Sequence, residues 1–395
     1  MDLSHTNLSH TFLGHFEALE DPRLDNHHNL RHNLTDILVI TILGTICGAD
    51  TWTEINEFGV AKHEWLKTFL ALPNGIPSHD TFGRVFSLIN PDKFEACFCA
   101  WIESLEIDTN NEIIAIDGKT LRGSGNKRKN EKSLHLVSAW AVNNRLMLCQ
   151  VKTQEKSNEI EAIPRLLNLL DINNSIVTID AMGCQKSIAL QIIEQGGNYV
   201  LSLKENQPTL YQDIANIFAL GEAKGFKKML NKRKVEKVHD HGRTETRRYT
   251  LISARDPLMF QFRWPGMKSI GMVEVTRTTH NQVERSKRFF ITSLDEDIDG
   301  FMRAARKHWS IEINLHWSLD VSFKEDLNRA RAGHSAQNLA TVRRIALNLL
   351  TQEKNHKNGI SCKRKTAGWN HKYLMTVLKM GRRENASSLP NPNKH

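Results

Sequence analysis

Three carboxylates are spaced so that they could do chemistry together: Asp117, Asp180 and Glu312. Asp117 ends the apolar run IIAI in EIIAIDGKTL, and Asp180 ends the run IVTI in SIVTIDA in the same manner. Acids at the ends of strands in an open α/β sheet face the edge where sites form. Each alone would also suit an ordinary turn, since Asp117-Gly118 is a turn dipeptide. Glu312 lies in FMRAARKHWSIEINLHWSLDVSFKEDLNRAR, residues 301–331. Wound as a helix, Trp309, Ile311, Ile313, Leu315, Trp317 and Leu319 cover most of the surface and leave a polar strip of His308, Glu312, His316 and Asp320. That pattern predicts an interior helix, in which a carboxylate has to be paired, neutralised or bound to a cation. Pairing with His308 or His316 is one outcome. The other is a set of three hard oxygen ligands for Mg²⁺ or Mn²⁺. Two such ions roughly 3.5–4 Å apart can activate a water or a 3′-hydroxyl and stabilise the leaving oxygen of phosphoryl transfer. A transition-metal site built from His308, Glu312 and His316 is a third reading, and it leaves the two strand-end acids idle.

The elements that must hold these acids are legible in outline. Residues 30–106 carry helical periodicity and almost no strand signal, which predicts an all-helical N-terminal domain over 1–107. Short helices of this kind suit helix-turn-helix DNA binding and a plain bundle equally. Within them, Ser78 with Asp80 and Thr81 behind it reads as a helix start. From 108 the character changes. Three strands, EIIAIDGKTL, SLHLVSAWAV and RLMLCQVKT, precede an alternation of helix 158–170, strand SIVTIDA, helix QKSIALQIIEQG, strand NYVLSLK and a helix from Pro208. The expectation is an α/β domain over 108–352, a mixed sheet with helices on its faces. RRYTLISA, SIGMVEVTRTT and KRFFITSL then make a β-rich insertion at about 225–300, and SAQNLATVRRIALNLLTQE is one more amphipathic helix. Residues 353–395 read as a basic tail with a short helix near HKYLMTVLKM.

Of 395 residues, 40% are hydrophobic, enough for one large core and an accessory domain. No run approaches the ~18 uncharged apolar residues of a membrane helix, and the first residues lack the basic end and apolar core of a signal peptide. The six cysteines include no CxxC pair. A cytoplasmic protein without a membrane partner is expected. The formal charge is +9, and from Glu353 onward ten Lys/Arg face two acids, so 10 − 2 = +8 sits in the tail and 9 − 8 = +1 elsewhere. A basic tail on a near-neutral body points to a polyanion, most simply nucleic acid. Lys363, Arg364 and Lys365 form its first cluster. Further candidates for phosphate contact are Lys119 and Arg122 behind Asp117, Lys204 at the end of a strand, and Arg243, Arg247 and Arg248 in the insertion.

The segments IIAIDGKTLRGS, VTIDAMGCQK, YVLSLKENQPTL and HWSIEINLHWSLDVSFKEDLNRAR, in that order, resemble the DDE transposases of bacterial insertion sequences, most closely the H-repeat-associated family. DPRLDNHHNLRHNLTDIL and PSHDTFGRVF resemble that family's N-terminal associated domain, so the likeness spans nearly the whole chain. It implies a ribonuclease H-like fold with a β insertion between the second and third acids. Asp117, Asp180 and Glu312 would be the catalytic, metal-binding triad for two Mg²⁺ or Mn²⁺ ions. The spacings, 180 − 117 = 63 and 312 − 180 = 132, agree with an insertion before the last acid. The implied activity is cleavage of double-stranded DNA at element ends and strand transfer to target DNA by a homo-oligomer. A ribonuclease H-like nuclease without strand joining and a catalytically inactive DNA-binding remnant remain the alternatives. One motif departs from the resemblance. Where the wider group has Y-x2-R-x3-E-x6-K, this chain has Ala305, His308, Glu312 and Leu319, which keeps Asp320 and Glu325 open as third acids.

Overall fold

The computed structural model describes residues 12–23, 30–153, 158–240, 243–255, 264–279 and 282–380. They divide into two compact units. One is helical and takes in the described residues up to 107, the stretch 121–134 and those from 317 onward; the other carries the sheet in residues 108–120 and 135–316. The C-terminal division therefore falls at 316 and not at the expected 352, because the later helices bury their faces among the N-terminal ones.

In the helical unit, caps and buried faces set the elements. Thr51 and Glu54 form a reciprocal capping box at the start of helix Trp52–Ala61. Ser78 accepts the Thr81 N–H at 3.3 Å to begin helix His79–Leu88, the start expected from sequence. Helix Leu34–Ile46 is mostly apolar and buried nearly all round. Helix Ser335–Gln352 packs against it and against His79–Leu88 and Pro91–Ser104. Two of its buried polar side chains tie it to other segments. Asn338 donates to the carbonyls of Phe86 and Ile89 at 2.8 and 2.9 Å, and Arg344 donates to Glu325 at 2.8 Å with neither side chain exposed.

Much of the expected basic tail is folded here too. Ile360–Trp369 and His371–Lys379 are helices, and Leu374, Val377 and Leu378 are buried. Residues 381–395 lie outside the described ones.

The described strands of the other unit are β1 (Ile113–Thr120), β2 (His135–Ala141), β3 (Leu146–Thr153), β4 (Ile176–Ile179), β5 (Asn198–Leu203), β6 (Asn231–Asp240), β7 (Arg243–Ser253), β8 (Ser269–Thr278) and β9 (Val283–Thr292). They form one mixed sheet in the order β3-β2-β1-β4-β5-β9-β8-β7-β6. β1, β4 and β5 run parallel, as their continuous apolar runs suggest. β2 and β3 add an antiparallel flank on one side. On the other side the insertion is an antiparallel meander that extends the sheet through β9. Sequence reading missed β6. Its Lys232, Arg233, Lys234 and Lys237 are exposed, and such a charged strand belongs at a sheet edge, where charge blocks further pairing.

Candidate active site

The parallel register places two acids at one level. Ile116 of β1 pairs with Ile179 of β4. Asp117 and Asp180 each follow one residue later, on neighbouring strands. Asp180 also begins a short turn of helix, its Oδ1 accepting the Met182 N–H at 3.0 Å. On the next strand Ile179 pairs with Leu201, and the chain beyond it carries Ser202 and Lys204 to the same end of the sheet.

The third acid arrives from above this face. Helix Ile298–Lys307 is capped by Asp297, whose Oδ1 accepts the Gly300 N–H at 2.8 Å. It is seated by Phe301, fully buried over Gly271, where any Cβ would collide with the ring. A π-helical turn, Ile311–His316, follows and buries Ile311 and Leu315. The expectation of an interior helix fails here. Trp309 is 44% and Ile313 64% exposed, and Glu312 is exposed with them. Trp309, Ile313, Trp317 and Val321, four residues apart, form one exposed apolar face, and Glu312 lies beside it in the π turn, a local distortion that recurs at functional sites.

Asp117, Asp180 and Glu312 line one cavity of about 420 Å³, together with Lys204, Arg288 and His308. Burial pushes the Asp117 carboxyl up to about 7; its own backbone contact with Gly118 opposes this, and the negative charges of Asp180, Glu159 and Glu312 add to it. His316 Nδ1 lies 3.5 Å from Asp117 Oδ2. His308 Nδ1 meets the Thr178 hydroxyl at 3.1 Å, and burial lowers its pKa to about 4 despite the nearby Asp180. Among the described residues His308 forms no ion pair with Glu312.

Behind Asp117, on the opposite face of β1, a buried pair fixes the strand. His135 Nε2 meets Glu159 Oε1 at 2.8 Å, and its Nδ1 meets the Thr120 hydroxyl at 2.7 Å. Both groups press against the backbone at Gly118, where a Cβ would strike them. This close approach, not turn formation, explains the glycine beside Asp117.

A buried Asp117 carboxyl whose ionisation the charges of Asp180 and Glu312 further oppose belongs to a donor set that a hard divalent cation relieves. The three side chains converge on the cavity without closing into a cage. Among the described residues no group of three or more His, Cys, Asp or Glu side chains is gathered tightly enough to hold a metal ion. Glu325 is held by the buried Arg344 and is not available as a substitute ligand.

The candidate phosphate contacts fall into two groups. Lys204 is exposed at the cavity, and Arg243 and Lys365 are exposed elsewhere. Arg122 is exposed and reaches Asp326, whereas Lys119 is buried in β1. Arg247 pairs with Glu236 and Glu245, and Arg248 with Glu274 at 3.1 Å. Lys363 and Arg364 are corrections to the sequence reading. Lys363 is buried against the Leu350 carbonyl and Glu353. Arg364 is buried against Asp50, the Thr45 carbonyl and the Phe323 ring. Their basic surroundings in sequence gave no sign that these two cations close helix ends inside a core. Sequence reading also passed over Arg288, whose position on the cavity wall depends on the long-range pairing of β9 with β5.

The model of the family described as "Transposase DDE domain" matches residues 108–349, and the one described as "DDE_Tnp_1-associated" matches 13–102. "Putative transposase YncI" of Escherichia coli O157:H7 is 40% identical over 361 residues, 90% of this chain and 92% of that one. "H repeat-associated putative transposase YhhI" of Escherichia coli strain K12 is 39% identical over 358 residues, 88% and 93% of the two chains. A shorter relative, "Inactive transposase YbfQ" of the same strain, is 46% identical over 56 residues, 14% of this chain and 67% of its own. Among the described residues no helix is long and apolar enough to cross a membrane. With a DDE domain matched over most of the sheet-bearing unit and relatives aligned almost end to end, the chain belongs to the DDE transposase family.

Proposed function

We propose that the protein is a cytoplasmic DNA transposase that cleaves double-stranded DNA at the ends of its element and joins the freed strand to a target, acting as a homo-oligomer. The observation that carries this reading is the convergence of Asp117, Asp180 and Glu312, from three separate segments, on one cavity in a member of this family. The strand order β3-β2-β1-β4-β5, antiparallel first and parallel after, supports a ribonuclease H-like core with β6–β9 as its insertion.

In this reading Asp117, Asp180 and Glu312 hold Mg²⁺ or Mn²⁺, two ions in all. Once bound, the ions supply Lewis-acid stabilisation of charge on the phosphoryl oxygens. The chain does the rest. The two strand-end acids present oxygens from the sheet and Glu312 from the helical side, so the ligands span the cavity. Lys204 offers a cation to the DNA backbone at its rim. His308, neutral near pH 7 and bonded to Thr178, fixes the helix against β4 without adding positive charge beside the acids.

Purified protein incubated with Mg²⁺ and a labelled duplex bearing the element's terminal inverted repeat tests the reading. Joined products support it. Cut but unjoined DNA favours a nuclease of the same fold, and bound, intact DNA favours an inactive remnant.

A further inference from the structure

A second groove shares a wall with the acid-bearing cavity and runs along the same face of the sheet over β7, β8 and β9. Its arginines are almost all committed. Arg247 pairs with Glu245 and Glu236, Arg277 with Glu245 at 3.4 Å, and Arg306 with Glu236. Arg288 differs. It lines both cavities, is half-buried, and forms no ion pair among the described residues. Its guanidinium lies over the Trp309 ring, 5.2 Å from the centroid. An indole face holds a planar guanidinium without using its N–H donors, so the fork stays free for an oxyanion. Trp309 is three residues before Glu312, and the stack therefore ties the cation to the helical segment that delivers the third acid.

The electrostatics agree with the geometry. Arg288 is held below the usual arginine range by burial and then by the neighbouring Arg277 and Arg247, with Glu245 in opposition. A half-buried cation with cationic neighbours is relieved by an anion. Of the carboxylates lining the two cavities, Glu245 is paired with Arg247 and Arg277, and Asp117, Asp180 and Glu312 are the proposed metal ligands, which leaves a substrate anion as the counter-charge for Arg288.

We propose that Arg288, stacked on Trp309, grips a phosphate of the DNA strand presented to Asp117, Asp180 and Glu312. This rests on the function proposed above and adds to it a residue from the insertion. The insertion thereby contributes directly to the site, and arginine is required there in a way that lysine cannot fulfil, because an ammonium has neither the flat face nor the fork.

The test is a cycle between residue and phosphate, run without divalent ions so that it reads binding alone. Single linkages around the cleavage position of a labelled terminal-repeat duplex are replaced by neutral methylphosphonates, and affinity is measured for wild type, Arg288→Ala and Arg288→Gln. The expected result is one linkage whose neutralisation weakens wild type about tenfold but leaves both variants unchanged, with the log–log salt slope of the variants shallower by ~0.9. Arg288→Lys should keep the slope and, in a separate assay with Mg²⁺, lose cleavage by about 10²-fold, the scale of a misplaced substrate. Losses that multiply at every linkage overturn the proposal, and so does an unchanged salt slope in Arg288→Ala. Arg288→Gln covers the case in which alanine fails to fold. Absence of Mg²⁺-dependent cleavage by wild type, with the phosphate cycle intact, would count against the catalytic reading and leave the contact standing.

Discussion

Asp117 and Asp180 stand level on two neighbouring parallel strands, because each directly follows a residue of the last paired step, Ile116 with Ile179. Burial, with the charge of Asp180 added to it, pushes the Asp117 carboxyl up to about 7. The consequence is measurable before any catalysis is assayed.

Asp117 and His308 should titrate the fold in opposite senses. Asp117 has its folded pKa raised to about 7, so it favours the fold fully below its unfolded pKa of about 3.8, and this is lost as pH rises through about 7. His308 has its folded pKa lowered to about 4. Its contribution is present above about 6.5 and is lost as pH falls toward 4. Each proton limits the slope to ~1.4 kcal/mol per pH unit. In chelator, urea titrations at several pH values should show Asp117→Asn losing the decline that runs from about pH 4 up to about 7, and His308→Gln losing the decline that runs from about 6.5 down toward 4.

Gly118→Ala should destabilise the protein by ~1–3 kcal/mol, the cost of forcing extra volume into a packed site. The new methyl meets the Glu159 carboxylate and His135 imidazole. An unchanged melting temperature would show that the close approach of Glu159 and His135 does not require glycine.

Glu325→Gln should cost ~3–5 kcal/mol by leaving Arg344 buried without its carboxylate. Urea unfolding checks this. Near-native stability with abolished cleavage would mean that Glu325, and not Glu312, is the third acid.

Truncation separates two kinds of basic residue. Cutting after Met380 removes Arg382, Arg383 and Lys394 with Glu384, a net 3 − 1 = +2. The expected outcome is a salt slope shallower by ~0.9 for each DNA phosphate that is no longer neutralised. Cutting after Gln352 also removes Lys363 and Arg364, which close the Leu350 and Thr45 carbonyls, and should unfold the helical unit.

The two strand-end acids were readable because an apolar run followed by Asp is a local signal. Glu312 was readable as a residue but not as an environment, since an apolar pattern on every side does not tell that the face of Trp309, Ile313, Trp317 and Val321 is left exposed. β6 escaped because an edge strand hides its alternation under lysine and arginine. Lys363, Arg364 and Arg288 look alike in sequence, as basic residues among others. Only the partners supplied by distant segments separate two buried helix-closing cations from one stacked on Trp309.

Asp117, Asp180 and Glu312 are proposed to act together on DNA through a divalent ion, and everything else about the site depends on that. Asp117→Asn, Asp180→Asn and Glu312→Gln each remove one negative charge at nearly constant shape. Mg²⁺-dependent cleavage of a labelled terminal-repeat duplex, measured beside melting temperature and binding, is the direct test. Each variant should fold, bind DNA at least as tightly as wild type, and lose cleavage by about 10³-fold, ~4 kcal/mol of transition-state stabilisation. Cleavage at the wild-type rate by folded Glu312→Gln would contradict the shared role of the three acids.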